Sequence, residues 1–231
     1  MTPASQAIAP AAHSTNPDPG FEGFRFDRTV EALIDTGAQL SRETVWLDLG
    51  CNQGQFLRRL VAKYQLRAIG CDDWPASQKS MEDAHWDYFQ ADLDRNLPWT
   101  GEADVVSALE VLEHMVDTDG FLARVLRVLR PGGYLLLSTP NINSLRNRIT
   151  VPLGAYPTGL EYRTVIHHVR LYNPTVLRNH LHASGFTNIG IRGVSFLPMS
   201  SGLGTIAVSQ QLAKLFPALC ANIIAVAQRP R

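Results

Sequence analysis

The stretch Val45-Trp46-Leu47-Asp48-Leu49-Gly50-Cys51-Asn52-Gln53-Gly54-Gln55-Phe56-Leu57 decides the fold. Val45 to Leu49 is a short apolar run of the length of a buried parallel strand, with Asp48 near its end. Gly50, Asn52 and Gly54 then make a tight loop. From Gln55 to Tyr64 the apolar residues Phe56, Leu57, Leu60 and Val61 recur at helical spacing, so a helix follows. A strand, a small-residue loop and a helix in that order form a nucleotide-binding turn. Glycines let a ligand approach the backbone, and the helix N-terminus favours electron-rich groups. Asn52 stands where a third glycine is expected, and asparagine tolerates a left-handed backbone better than most residues.

The spacing Asp48-x-Gly50-x-Asn52-x-Gly54 resembles motif I of the class I S-adenosylmethionine-dependent methyltransferases, departing from it at Asn52. The dinucleotide fingerprint Gly-x-Gly-x-x-Gly fits worse, because neither position 55 nor position 57 is glycine. The resemblance implies a Rossmann-like α/β three-layer sandwich, a seven-stranded and mostly parallel sheet whose last strand is antiparallel. It also implies that Asp48, Gly50, Cys51, Asn52 and Gly54 lie against S-adenosylmethionine.

Working outward, Arg67 to Asp72 is a second strand ending in Gly70-Cys71-Asp72-Asp73. A carboxylate at the end of the second strand of such a sheet can accept from both ribose hydroxyls. The resemblance points to Asp72, with the adjacent Asp73 as the alternative. Trp86 to Gln90 is a third strand, followed by Ala91-Asp92-Leu93-Asp94 and Leu97-Pro98-Trp99. This resembles the family's adenine-binding segment, with Asp92 accepting from the adenine amino group and Leu93 offering its backbone to the ring edge.

Ala103 to Leu109 is a fourth strand, running into Glu110-Val111-Leu112-Glu113-His114. That signature resembles the small-molecule O-methyltransferase branch, including ubiquinone-pathway enzymes. Glu110 stands where ligands collect in open α/β sheets, to contact cofactor or line the transfer site. His114, a residue that titrates near neutrality, is the candidate base for an acceptor hydroxyl. The same resemblance allows a divalent metal on Glu110, Glu113 and His114, with His168 as a further ligand; the metal is not the favoured alternative. His167 or His168 is a second base candidate, carried on Ile166-His167-His168-Val169-Arg170-Leu171-Tyr172.

Asp119 to Leu129 is a helix expected to stop at Arg130-Pro131-Gly132-Gly133, and Tyr134 to Thr139 is a fifth strand ending in the Thr139-Pro140-Asn141 segment of the family. Residues 141–172 form an irregular lid or substrate insertion, where Arg146, Arg148, Arg163 and Arg170 could hold an anionic group on the acceptor. Upstream, Arg25 to Ser41 is an N-terminal helix. Downstream come a helix over Pro174 to Ala183, a strand near Asn188 to Phe196, an amphipathic helix over Ile206 to Phe216 whose Leu212, Leu215 and Phe216 are expected to pack on the sheet, with contact to a membrane or partner as the alternative, and a last strand over Ala221 to Ala227.

Composition bounds the rest. The 231 residues suit one domain over 21–231, after a disordered tail over 1–20 that lacks the features of a secretion signal. Lys plus Arg and Asp plus Glu are 21 each, so charge points to no nucleic-acid partner. No apolar run reaches the ~18 residues of a membrane span. Three cysteines without metal spacing fit a reducing cytoplasm. The expected function is methyl transfer to a small-molecule acceptor, most simply at oxygen. The alternatives are a non-catalytic S-adenosylmethionine-binding module, an RNA-terminal methyltransferase, or a nucleotide-dependent oxidoreductase that the missing dinucleotide glycines disfavour.

Overall fold

A computed structural model describes residues 19–84, 86–158, 168–194 and 211–231. Its strands are β1 (Val45–Leu49), β2 (Arg67–Asp72), β3 (Asp87–Gln90), β4 (Ala103–Leu109), β5 (Leu129–Pro140), β6 (Thr187–Gly193) and β7 (Asn222–Gln228). They form one sheet in the order β3-β2-β1-β4-β5-β7-β6. All pairs from β3 to β5 are parallel, while β7 runs antiparallel to both β5 and β6. The chain moves outward from β1 to β3 and then returns to β4 on the other side of β1. That reversal sets the carboxyl ends of β1 and β4 side by side, where open α/β sheets bind ligands.

Helices α1 (Pro19–Ile34), α2 (Gln55–Tyr64), α3 (Pro75–Asp83), α4 (Thr118–Val128), α5 (Leu145–Thr150) and α6 (Pro174–Ala183) accompany the strands, with a further helical stretch over 211–215. Strand periodicity divides the core in two. Leu47, Val106, Leu135 and Leu137 face one layer with Phe121, Leu122 and Val125 of α4 and Leu177 and Leu181 of α6. Trp46, Val105 and Leu136 face the other, with Phe26 and Leu33 of α1 and Phe56, Leu57 and Leu60 of α2. Phe56 stands 4.9 Å from Phe26 and 5.7 Å from Trp46, ring centre to ring centre. Each such side chain, fully buried, contributes roughly 1.5–3 kcal/mol.

The element limits differ from the sequence expectation in a few places. Helix α1 begins at Pro19 and ends at Ile34 rather than spanning Arg25 to Ser41. Its exit is set by Gly37 at φ +90 and by the Thr36 hydroxyl donating to the Leu33 carbonyl at 2.7 Å. The expected tail lies outside the described residues except for Pro19 and Gly20, which start this helix. Pro131-Gly132-Gly133 does not separate helix from strand: β5 already pairs Leu129 with Ala103, and the turn is a bulge before Tyr134 pairs with Val105. Residues 141–158, expected to be irregular, contain α5. The expected strand residue Phe196 and helix residues 206–210 lie outside the described residues; 211–215 are helical. There Ala213 is buried, but Leu215 and Phe216, expected to pack on the sheet, are exposed, so the helix turns a different side inward. No helix among the described residues is long and apolar enough to cross a membrane.

Candidate functional site

The loop after β1 is shaped by three left-handed residues, Gly50 (φ 72), Asn52 (φ 48) and Gly54 (φ 76). Asn52 therefore occupies the conformation its side chain tolerates best after glycine. Gly50 is also required by contact, since a Cβ there would lie 2.5 Å from Val111 Cγ2. The amides of Gly50 and Cys51 both donate to the Cys71 carbonyl, at 2.8 and 3.1 Å, tying the loop to the end of β2. Cys51 itself points inward; burial and the nearby Asp48 and Asp72 push its thiol far above its ordinary range, so it packs as a small apolar group.

Asp48 lies beneath this loop rather than facing outward. It is buried and accepts a 2.5 Å hydrogen bond from the Ser107 hydroxyl on β4, which in turn accepts from the Trp46 indole at 2.8 Å. Burial pushes its carboxyl up to about 7, with the Asp72 charge adding and the Ser107 bond opposing.

At the end of β2 the two adjacent aspartates separate clearly. Asp72 Oδ2 accepts from the Asn52 amide at 2.8 Å and Oδ1 from the Trp74 amide at 2.9 Å, so its carboxylate sits against the glycine loop. Asp73 is exposed, and its carbonyl accepts from the Gln90 side chain. After β3, Leu93 is buried and Asp92 is exposed and paired with Arg95 at 3.0 Å. Asp94 Oδ1 accepts from the amides of Val116 and Asp117, at 2.8 and 3.0 Å, while Arg124 donates to the carbonyls of Leu93 and Asp94 at 3.0 Å each. The segment expected to hold adenine is thereby fastened to the turn that follows β4.

In that turn Glu110 and Glu113 part company. Glu110 has φ 58, a strained value for a residue with a side chain. Its carboxylate accepts from the Ser138 hydroxyl at 2.6 Å and from Asn222 at 3.0 Å, and lies 3.6 Å from Arg25 of α1. Glu110 thus knits β4, β5, β7 and α1 together at the sheet's carboxyl end. Glu113, in the 3₁₀ turn Leu112–His114, is buried, and neither carboxyl oxygen is within hydrogen-bond geometry of a partner among the described residues; burial, then the Glu110 charge, hold it well above the usual carboxylate range. Its backbone carbonyl accepts from the amides of Val169 and Arg170 at 2.9 and 3.1 Å. That pairing brings in His168, whose ring packs edge-on against His114 at 4.7 Å.

One ligand atom from each of Glu113, His114 and His168 lies within 4.8 Å of the others. Among the described residues the set compatible with a cation is Glu113, His114 and His168, and Glu110 does not join it. The orphaned Glu113 carboxyl and two imidazoles suit a divalent ion chemically. His167 and Arg163 lie outside the described residues.

Sequence reasoning passed over Arg25, Asn222 and Asp94. The first two carry no local signal, because only the sheet order brings α1 and β7 to Glu110. Asp94 stood inside a recognised segment, but its amide partners are remote in sequence.

A methyltransferase-domain family profile matches residues 21–191. The ubiquinone biosynthesis O-methyltransferase of Thiobacillus denitrificans is 27% identical over 177 residues, 72% of this chain and 74% of that one. The enzyme of the same name from Mesorhizobium japonicum is 30% identical over 170 residues, 67% of this chain and 64% of that one. A solved structure of Haemonchus contortus phosphoethanolamine N-methyltransferase 2, bound to phosphomonomethylethanolamine and S-adenosylhomocysteine, matches with a TM-score of 0.63 at 16% identity, over 89% of this chain and 53% of that one.

Proposed function

The chain belongs to the class I S-adenosylmethionine-dependent methyltransferases, and we propose that within this family it methylates an oxygen of a small-molecule acceptor. S-adenosylmethionine supplies an electrophilic methyl group, which passes to the acceptor as the carbon–sulfur bond breaks and a carbon–oxygen bond forms. The chain's residues hold the partners and take the proton. Asp72, set against the glycine loop by the Asn52 amide, accepts from the ribose hydroxyls. Asp92 and the backbone of Leu93 hold the adenine, and the loop from Gly50 to Gly54 lies along the amino-acid part. Glu110 serves this site from behind, fixing the ends of three strands.

His114 takes the acceptor's proton, with His168 beside it. The observation that carries this assignment is the His114–His168 pair at 4.7 Å beside the buried Glu113, at the end of the strand that neighbours the glycine loop. Most of the acceleration comes from holding donor and acceptor in near-attack geometry, and the base adds roughly 10²–10⁴-fold. The insertion 141–172, of which residues 159–167 lie outside the described residues, acts as the lid over the acceptor, in one domain over 21–231. Names of relatives at 27–30% identity support an oxygen acceptor, and three buried free cysteines suit a cytoplasmic setting.

The test is a panel of phenols, catechols, sugars and amines offered with labelled methyl donor. Label on hydroxyl acceptors, lost on His114→Ala by about two to four orders of magnitude with S-adenosylhomocysteine affinity kept, is the expected result. Label on amines alone sinks the oxygen assignment. Label on no acceptor, with tight S-adenosylhomocysteine binding, favours a binding module.

A second reading rests on the orphaned carboxyl of Glu113. A divalent cation held by Glu113, His114 and His168 would supply a Lewis acid for the acceptor hydroxyl. Calorimetric titration with Mn²⁺ decides it: binding abolished by Glu113→Gln supports the cation, and no heat in the wild type removes it.

A further inference from the structure

The chain returns from its insertion along Val169 to Tyr172, a stretch outside any helix or strand apart from the bridge of Tyr172 to Asn141. Tyr172 is buried, and its carbonyl accepts from the Ile142 amide at 3.0 Å. Its phenol meets His180 of α6. The hydroxyl lies 3.1 Å from the ring's Nδ1, and the two rings are stacked at 11° with their centres 6.0 Å apart. The other ring nitrogen, Nε2, lies 2.8 Å from Oδ1 of Asp119, in the first turn of α4. Asp119, His180 and Tyr172 form one line of hydrogen bonds from solvent, where the Asp119 side chain is 88% exposed, to the buried phenol.

Chemistry fixes where the hydrogens of this line lie. A carboxylate only accepts, so Nε2 carries the hydrogen of the neutral ring and Nδ1 is left as an acceptor. Burial pushes the Tyr172 phenol up to about 12, so it keeps its hydrogen and donates to Nδ1. Bonded at both nitrogens, the imidazole cannot turn without breaking both contacts, and it fixes the place and the plane of the Tyr172 ring. A leucine at 180 would bury itself beside Leu177 and Leu181, but it would give the phenol no partner.

The place of Tyr172 is felt at the other end of the stretch. There the amides of Val169 and Arg170 donate to the Glu113 carbonyl at 2.9 and 3.1 Å, and the Arg170 guanidinium donates to the Val116 carbonyl at 2.8 Å. Next to them His168 sets its ring edge-on to that of His114, 4.7 Å between centres. With no helix or sheet ladder to carry the stretch, its course is set by the contacts at its two ends. We propose that His180 and Asp119 are positioning residues for methyl transfer, which act through Tyr172 to hold the returning stretch so that His168 stays against His114. The consequence for catalysis rests on the reading of His114 as the base with His168 beside it; the geometry does not.

Histidine-ring NMR of the full chain tests the geometry, and transfer kinetics test the consequence. The wild type should show a nuclear Overhauser contact between the His114 and His168 rings. Tyr172→Phe keeps the buried ring and removes only the hydroxyl, and it should lose that contact, as should His180→Ala. His180→Asn sets a side-chain oxygen about where Nδ1 stood and should restore it. Asp119→Ala, at an exposed side chain that packs on nothing, should weaken the contact with the melting temperature unchanged, which keeps the test open if a buried variant fails to fold. On whichever hydroxyl acceptor takes label, Tyr172→Phe and His180→Ala should lower kcat by up to about a hundredfold with KM for S-adenosylmethionine unchanged, and His180→Asn should recover most of the loss. A contact that persists in both Tyr172→Phe and Asp119→Ala overturns the proposal and leaves the transfer reading standing. A contact that is lost while kcat holds supports the positioning and removes His168 from the reaction.

Discussion

Two carboxylates near the glycine loop have opposite lives, set by a few ångströms of depth. Asp72 rests at the surface against the Asn52 amide, whereas Asp48 lies beneath the loop and is bonded to Ser107. Asp72→Ala should weaken S-adenosylhomocysteine binding by about 1–3 kcal/mol, roughly 5- to 150-fold, while Asp73→Ala changes it little; calorimetry separates them. Asp48 makes a different prediction. Its ordinary value is about 3.9, and in the folded chain it is raised to about 7. Between those values the folded state binds the extra proton, so stability falls as pH rises from about 4 to about 7 and levels off above. The loss is at most about 4 kcal/mol. Asp48→Asn should flatten that slope, which urea midpoints measured at pH 5 and pH 8 will report.

At the scale of elements, the short turn after β4 joins the two halves of the site. Its Val116 and Asp117 amides are held by Asp94, from the segment that follows β3. Its Glu113 and Val116 carbonyls are held by Val169 and Arg170, the latter carbonyl through the Arg170 guanidinium at 2.8 Å. Asp94→Ala should leave the fold intact at a cost of about 1 kcal/mol. Amide exchange should then quicken at Val116 and Asp117 and, through the shared turn, at Val169 and Arg170. Unchanged exchange at 169–170 would mean the two halves move independently. The bulge in β5 belongs to this scale too. Pro131-Gly132-Gly133 reads as a chain reversal, but the chain just past β7 captures it: Gly132 donates to the Arg229 carbonyl at 3.1 Å and Arg229 to that of Gly133 at 2.9 Å.

Over the whole molecule, cofactor binding and fold share the same sheet end, so occupancy should register as stability. A ligand at a hundred times its dissociation constant adds about 2.7 kcal/mol, and a domain of this size gains roughly 2–4 °C per kcal/mol. S-adenosylhomocysteine should raise the melting temperature by about 5–10 °C under those conditions, and NAD should not move it. Equal shifts with both ligands would contradict the family's cofactor preference.

The sequence by itself determined the strand–loop–helix at 45–64 and the limits of α6 and β4, while the parallel sheet with its reversed last strand followed from the family resemblance. The first two are local matters, since periodicity, glycine placement and proline fix them within a dozen residues or so. The strand ends that carry the candidates from Asp48 to Leu93 were legible for the same reason. Tertiary structure alone decided which groups meet. It sank Asp48 beneath the loop, separated Asp72 from Asp73, and drew Glu110 to Arg25, Ser138 and Asn222 while leaving Glu113 with the two histidines. Glu110 and Glu113 are near neighbours in one motif, and no spacing rule separates them. The left-handed backbone at Glu110 and the approach of β7 and α1 from opposite ends of the chain do, because only the packed sheet brings those partners within hydrogen-bond reach.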